Sequence, residues 1–303
     1  DFQIGPEADA EEEMRTDNVM RRVRGMLGAE IDPELEWISV YRFQSRRIRD
    51  FRHERVLFVG DSAHQVSPFG ARGANSGIQD AENLAWKLQL VLKELAPETL
   101  LDSYNAERSY AADENIRHST QSTDFIAPKS AVSLAFRNAV LSLAKDHKFA
   151  RLLINSGRLS TPTIHRESSL NTADGESWFG KLLPGAPAVD APVQTQDGEG
   201  WLLDLLKGEF TLLYFTDTSV PETLQQDFRR LHENTIPVQP LVLGLNSGIA
   251  EIRVFDSQGF VAQRYDAQVG TTYLLRPDQH VTARWKRFDL GVIRDALNTA
   301  TCN

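Results

Sequence analysis

The stretch Arg55–Leu92 constrains this sequence more than any other. Arg55–Gly60 reads Arg-Val-Leu-Phe-Val-Gly, a short and almost wholly apolar run. Such runs suit a central strand covered on both faces. Asp61–Gly73 follows as a loop heavy in Gly, Pro and Ser. Ala74–Leu95 then reads as a long helix, with Ile78, Ala81, Ala85, Leu88 and Leu92 spaced to form one buried face. In an open α/β sheet, ligands collect at the C-terminal ends of strands, which is where Asp61 falls. A carboxylate there can accept hydrogen bonds from sugar-like hydroxyls. Gly70 and Gly73 permit close backbone approach and positive φ, and Pro68 stiffens the loop. The amides of Ala74, Asn75 and Ser76, at the expected helix start, form a site for negative charge.

Upstream of this stretch, residues 1–5 read as a short strand. The acidic run Glu7–Glu13 leads into a helix over Met14–Leu27, stopped by Gly28 in a left-handed cap. Glu34–Ile48, rich in Trp, Ile, Val, Tyr and Phe, reads as a strand. Downstream, helices are expected over Thr99–Thr123 and Ser130–Asn155, and an extended linker over Gly157–Val193. The last hundred residues change character. Strands are expected at Phe210–Thr216, Val238–Leu245 and Ile252–Phe255, and a hairpin joins Thr272–Arg276 to Val281–Arg287. Helices are expected at Glu222–Asn234, near Gly259–Tyr265 and at Leu290–Thr299. That order suits an α/β sandwich resembling thioredoxin.

Composition removes several classes. With 41% hydrophobic and 25% charged residues, the chain has the content of a folded globular protein. A net charge of −9 makes it a poor binder of phosphate backbones, so no nucleic-acid partner is expected. No apolar run approaches the ~18 residues that cross a bilayer, so no membrane partner is expected. The one cysteine, Cys302, permits no internal disulfide, no zinc cluster and no CxxC pair. A reducing, cytoplasmic location is the simplest reading. The chain opens Asp1-Phe2-Gln3-Ile4, without Met and without a signal segment. The expectation is a chain that begins inside a longer protein.

Gly60-Asp61-Ser62-Ala63-His64, with Pro68, Gly70, Gly73, Asn75, Asp80, Asn83, Leu84, Trp86, Lys87 and Leu88, resembles a family motif. It is the second flavin-binding motif of the FAD-dependent aromatic hydroxylases, the group of para-hydroxybenzoate hydroxylase and phenol hydroxylase. Their pattern is G-D-A-A-H, then P-x-x-G-x-G-x-N-x-x-x-x-D-x-x-N-L-x-W-K-L. Tyr104-x-x-Glu107-Arg108 resembles the family's Y-x-x-E-R helix, and Tyr41–Arg55 its strand leading to the G-D motif. The segment Gly185–Asn303 resembles the thioredoxin-like domain appended to phenol hydroxylase, through Leu202–Leu206, Phe210–Phe215 and Leu275–Trp285. The implied fold class is α/β: the C-terminal part of a three-layer FAD/NAD(P)-binding domain, then a thioredoxin-like α/β domain without CxxC. The implied domains are 1–54, the end of a substrate-binding domain; 55–160, the C-terminal part of the FAD-binding domain; 161–193, a linker; and 194–303, the thioredoxin-like domain.

The resemblance also implies chemistry. FAD is the implied cofactor and NAD(P)H the reductant. O₂ and a small aromatic or phenolic substrate are the partners, and hydroxylation runs through a flavin C4a-hydroperoxide. Asp61 would bond the ribityl chain, Pro68 and Phe69 would lie near the isoalloxazine, and the amides of Ala74 and Asn75 would hold its pyrimidine edge. Gly70, Arg72 and Gly73 complete the implied cofactor-binding set, with no catalytic side chain and no metal ligand assigned. A homodimer through the C-terminal region is also implied. Simpler readings compete: Asp61 as a turn former, His64 as structural, Arg46 and Arg72 as solvated or site-lining. Asp80 and Asn83 read better as helix anchors than as ligand contacts, and Trp86 reads as core. No G-x-G-x-x-G precedes Gly60, and the family's middle D-G motif is absent there too. The expectation is that this chain alone binds FAD poorly and turns nothing over. The alternatives are a non-catalytic interaction or dimerisation fragment, and a flavin enzyme of another reaction, such as a dehydrogenase or epoxidase.

Overall fold

Strand β7, Phe210–Thr216, is buried along its whole length, and its side chains part by parity. Phe210, Leu212 and Tyr214 enter one core, while Leu213 and Phe215 enter another. This is the period of two that a sheet covered on both faces demands. The computed structural model describes residues 2–5, 7–68, 70–154, 161–180, 182–246, 249 and 252–303.

β7 lies near the middle of a seven-stranded mixed sheet. The other strands are β5 (Pro192–Thr195), β6 (Gly198–Trp201), β8 (Val238–Gly244), β9 (Val254–Phe255), β10 (Thr272–Leu275) and β11 (Val281–Trp285). The order is β11-β10-β7-β8-β9-β5-β6. β7 and β8 run parallel in register Phe210↔Val238 to Thr216↔Gly244, and β8 and β9 are also parallel. The remaining pairs are antiparallel. Helix α7, Glu222–His232, makes the β7–β8 crossover, and α8, Phe260–Tyr265, precedes β10. The closing helix α9, Leu290–Thr301, starts where the Asp289 carboxylate accepts from the amides of Gly291 and Val292. Phe228 and Leu231 of α7 and Ile293 and Leu297 of α9 fill one core. Val261 and Tyr265 of α8 fill the other with Leu182, Ala186 and Leu202.

The first half is helical. α1 (Ala10–Glu13) and α2 (Thr16–Leu27) precede α3 (Arg72–Leu92), α4 (Leu100–Ile126), α5 (Ala131–Asp146) and α6 (Lys148–Ile154). Trp86 of α3 and Leu100 of α4 enter the same core as Phe210, and the Trp86 and Phe210 rings meet edge to face with centroids 5.6 Å apart. The long helices therefore share a core with the large sheet. A smaller cluster, built from Phe51, Ala63, Leu84, Leu101 and Tyr104, sits under the Gly60–His64 turn.

Several expected elements come out differently. Residues 2–5 form no strand. Glu34–Ile48 yields only the two-residue strand β1, Arg46–Arg47, which pairs with β4, His64–Gln65. Arg55–Gly60 yields β3, Val56–Leu57, in a small hairpin with β2, Arg52–His53, and Val56 is exposed. A central parallel strand needs paired neighbours on both sides, and no described residue supplies them. Gly28 ends α2 at φ 120° and ψ 147°, a positive φ outside the left-handed helical region. The single helix expected over Ser130–Asn155 breaks at His147, and residues 155–160 lie outside those described. The β5–β6 hairpin falls at the end of the expected linker; the two-residue turn Gln196-Asp197 joins its strands, and Gly198, at φ +120°, opens β6.

The orientation of α3 is the largest departure. Ile78, Ala81, Ala85 and Leu92, expected on the buried face, are exposed, Ile78 to 66% and Leu92 to 74%. The buried stripe is instead polar: Ser76, Asp80, Asn83 and Lys87, spaced four, three and four residues apart. Buried polar groups need partners. Those partners, found on α4 and on the β10–β11 turn, fix which way the helix faces.

Candidate functional site

The site is assembled around the turn after β3. Gly60 has φ +61°, a conformation that favours glycine. It begins a single 3₁₀ turn, Gly60–Ser62. The Ser62 hydroxyl donates to the Val59 carbonyl at 2.8 Å and accepts from the Val59 amide at 3.2 Å, closing the turn on itself. The turn lies directly on α3: a Cβ added at Gly77 would stand 3.3 Å from the Gly60 Cα. Asp61 is exposed at the apex.

Asp61 faces a cleft of about 260 Å³ that it shares with Arg46, Arg47, Ile48 and Gln65. The β1–β4 pairing, Arg46↔Gln65 and Arg47↔His64, builds the wall. Arg47 is spent on Asp113, with Nε–Oδ1 at 2.6 Å and Nη2–Oδ2 at 2.8 Å. Arg46 donates to the Gln65 side-chain oxygen at 3.2 Å and makes no ion pair among the described residues. The cleft thus presents a carboxylate acceptor and an accessible cation side by side.

The loop onto α3 runs through Pro68, which is exposed, and Gly70 at φ +92°. Phe69 lies outside the described residues. Ala71 is left-handed at φ 51° and ψ 40°, and its amide donates to the Pro68 carbonyl at 3.0 Å. The helix begins at Arg72, two residues earlier than expected. In that register the amides of Gly73 and Ala74 fall in the first turn, whose donors have no partner within the helix, while the Asn75 amide lies one turn in. Ala74 and Asn75 are exposed at this end, and the Asn75 side chain donates back to the Ala71 carbonyl at 2.7 Å. Gly73 packs with its Cβ position 3.8 Å from a Val66 methyl. Arg72 is buried and donates to the Thr161 carbonyl at 2.7 Å, so its guanidinium is used inside the protein.

A second cavity, of about 540 Å³, has Pro68 at its edge and aromatic walls. Trp37 and Tyr41 meet edge to face at 5.9 Å, and Tyr41 stacks on Phe43 at 6.1 Å. Phe2, Met14 and the Glu13–Arg22 ion pair complete the lining that matters here. The segment expected to be a strand therefore carries the aromatic wall as irregular chain.

Two buried charge networks support these surfaces. In the first, Asp80 accepts from the Gly60 amide, His64 Nε2 and Arg108 Nε. Burial would raise its pKa, but the His64 hydrogen bond and the Arg108 charge outweigh that and hold it below the ordinary value. In the second, Glu107 binds Arg276 at 2.6 and 3.1 Å and Lys87 at 2.8 Å, and also accepts from Asn83 and Ser168. Asp278 completes it, bonded to Arg276 at 2.6 and 2.9 Å. Burial pushes Glu107 and Asp278 up, but Arg276 pulls both well below the usual carboxylate range. Burial lowers Lys87 to about 8 against the pull of Glu107. The sequence reading missed this second network. Its available signal was Asn83 and Lys87 one turn apart on α3, facing Glu107.

The residues fit a flavin. The exposed Asp61 carboxylate suits a polyol chain, and the open amides of α3 suit an electron-rich ring edge. Residues 2–119 match the family model described as "FAD binding domain". The chain is 30% identical over 285 residues to a putative polyketide hydroxylase of Streptomyces halstedii, covering 92% of this chain and 49% of that protein. It is 43% identical over 120 residues to a probable NADH-specific resorcinol 4-hydroxylase of Rhodococcus jostii, covering 40% of this chain and 22% of that protein. The chain thus spans about half, or less, of the length of these relatives. Its fold is similar to that of the flavin-dependent monooxygenase PieE in complex with FAD and substrate. The TM-score is 0.72 at 22% identity, covering 98% of this chain and 55% of the other. It is similar as well to aklavinone-11 hydroxylase with FAD and aklavinone, with a TM-score of 0.71 at 20% identity, covering 98% and 53%. The chain is thus similar over residues 2–119 to FAD binding domains, over most of its length to a polyketide hydroxylase, and in fold to a flavin-dependent monooxygenase. No helix among the described residues is long and apolar enough to cross a membrane.

Proposed function

We propose that this chain is part of an FAD-dependent monooxygenase that hydroxylates an aromatic or polyketide ring, with NAD(P)H as reductant and O₂ as oxidant. The observation that carries the reading is the Gly60–His64 turn. It lies on α3 at Gly77, with Asp61 exposed at its apex, and the glycine loop that follows it leads into the first turn of that helix. When bound, the flavin would supply the redox and oxygen-transfer chemistry. The chain's own residues hold and orient it. Asp61 would accept from ribityl hydroxyls, and the first-turn amides of Gly73 and Ala74 would hold the pyrimidine edge, where reduction places negative charge. A helix N-terminus contributes about 0.3–1 kcal/mol to an exposed anion there, and more to a buried one. Arg46 stands on the same cleft wall and adds positive potential.

The aromatic cavity at Pro68 is the proposed substrate side. Its walls of Trp37, Tyr41 and Phe43 suit a flat, apolar ring held by stacking. The names of the relatives, a polyketide hydroxylase and a resorcinol hydroxylase among them, support an electron-rich aromatic substrate. A cytoplasmic location belongs to the same proposal, supported by the single cysteine. So does a thioredoxin-like character for the C-terminal unit. Supporting it are the parallel β7-α7-β8 unit, the antiparallel β10–β11 hairpin on the other side of β7 and the closing helix α9. Exposed Trp201 and Phe260 on that unit support a homodimer contact, which light scattering would test.

The deciding experiment is a flavin titration of the protein as its gene encodes it, followed by product analysis under ¹⁸O₂. Wild type should retain FAD, and Asp61→Ala should weaken it by roughly 10- to 100-fold, the loss of one or two hydrogen bonds to a charged acceptor. One labelled oxygen should enter the aromatic product. Oxidised product without label would assign a dehydrogenase instead.

A further inference from the structure

Asp80 is fully buried, and every described polar contact it makes serves the Asp61 turn or its support. Its Oδ2 accepts from the Gly60 amide at 3.0 Å and from His64 Nε2 at 2.6 Å. Gly60 immediately precedes Asp61, and His64 follows three residues later. One oxygen thus grips both ends of the turn. The other oxygen, Oδ1, accepts from Arg108 Nε at 2.6 Å, which ties the grip to α4. Arg108 also reaches the Ser76 carbonyl at 3.3 Å, and Asn115 donates to the Ser76 hydroxyl at 2.9 Å, so α3 and α4 are locked around the carboxylate.

We propose that Asp80 is the positioning residue of the flavin-facing turn: its carboxylate pins Gly60 and His64 so that Asp61 is held ready for the cofactor's hydroxyls. Glycine has the most backbone freedom to lose, so a turn that starts at Gly60 gains most from a fixed end. A carboxylate accepts only, so His64 Nε2 carries the proton in this contact. The His64 ring stacks on Phe51 with centroids 5.8 Å apart, which fixes its plane while Asp80 fixes its direction. Preorganisation of this kind raises affinity by removing the ordering cost at binding. The inference rests on the reading that Asp61 meets FAD, and it adds a residue that never touches the cofactor.

The test pairs a double-mutant cycle with amide exchange on the full gene product. Asp80→Asn retains size but turns one acceptor into a donor facing a donor. It should weaken FAD by roughly tenfold. In an Asp61→Ala background the same change should cost almost nothing, because the group it positions is gone. Multiplicative losses would overturn the proposal, as would wild-type affinity in Asp80→Asn. His64→Leu should weaken FAD, and His64→Gln, which keeps a donor, should restore most of it. This second pair decides the matter where Asp80→Asn does not fold. Amide exchange in flavin-free protein reads the pin directly. Faster exchange confined to residues 60–65 supports it, and unchanged exchange refutes it. A wild type that binds no FAD would defeat the flavin reading alone, since the exchange arm judges the pin without cofactor.

Discussion

Replacing Arg276 by Met removes the central cation of a closed group of four charges. Lys87, Glu107, Arg276 and Asp278 are each at most 4% exposed, and together they are neutral. The guanidinium donates twice to Glu107 and twice to Asp278, and it lies over the Trp86 ring at 5.5 Å. Methionine fills similar space, so the packing loss is small. What remains is two buried carboxylates with one ammonium. Removing one partner of a buried pair costs about 3–5 kcal/mol, most of it the uncompensated charge. That is a large share of the ~5–15 kcal/mol that holds most proteins folded. Urea denaturation followed by far-UV circular dichroism should show the midpoint fall with little change in slope. Adding Glu107→Gln leaves Lys87 against Asp278, which is neutral again. The double variant should therefore recover part of the loss rather than deepen it. A single-variant cost under about 1 kcal/mol, or simple addition in the double, would refute the reasoning.

His165 is buried, and burial lowers its pKa to about 3 despite Glu107 nearby. The unfolded chain takes up that proton near the ordinary 6.5, so stability is full above 6.5 and is lost as pH falls toward 3, at up to about 1.4 kcal/mol per unit. His165→Asn should flatten the decline between pH 6.5 and about 5.5, above the range where the unfolded chain's carboxylates take up protons; an unchanged slope would sink the assignment. Gly185 has φ +86°, and a Cβ there would lie 2.6 Å from the His165 carbonyl carbon and 2.8 Å from Asn171 Nδ2. Gly185→Ala should cost about 2–5 kcal/mol, combining left-handed strain with overpacking, measured by thermal denaturation.

The sequence was most readable where one local rule sufficed. The apolar run Phe210–Thr216 announced a doubly covered strand, and the helices at residues 72–92, 100–126, 222–232 and 290–301 lie close to their expected spans. The G-D turn and the glycine loop were legible because acid, Pro and Gly stand at fixed offsets. The strands expected at 1–5, 34–48 and 55–60 failed for a shared reason: strand formation depends on a neighbour, which a segment's own pattern cannot supply. Trp37, Tyr41 and Phe43 had the composition of a strand and became the wall of a cavity instead. Arg72 illustrates the same limit at the site, since its partner, the Thr161 carbonyl, is 89 residues away.

Helix α3 joins these observations into one design. Hydrophobic periodicity pointed to Ile78, Ala81, Ala85, Leu88 and Leu92, yet most of that face is exposed and the polar face is buried. Periodicity assumes that the interior is apolar, and here Ser76, Asp80, Asn83 and Lys87 are buried on polar partners beside the apolar Leu84 and Trp86. In the N-terminal half of the polar stripe, Asp80 holds the Asp61 turn. The C-terminal half, Asn83 and Lys87, joins Glu107 and Asp278, and through Asp278 the β10–β11 turn of the large sheet. Asp80 and Asn83 are three positions apart, so the two networks meet on a single turn of one helix. Neutral pairing within each network removes the penalty that isolated charges would bring, and directional hydrogen bonds fix the helix's rotation more tightly than apolar contact would. The large sheet and the Asp61 turn are thereby set against the same helix. It follows that a lesion in the Arg276 cluster should loosen the Asp61 turn as well as the core, although it touches neither Asp61 nor any residue of the cleft.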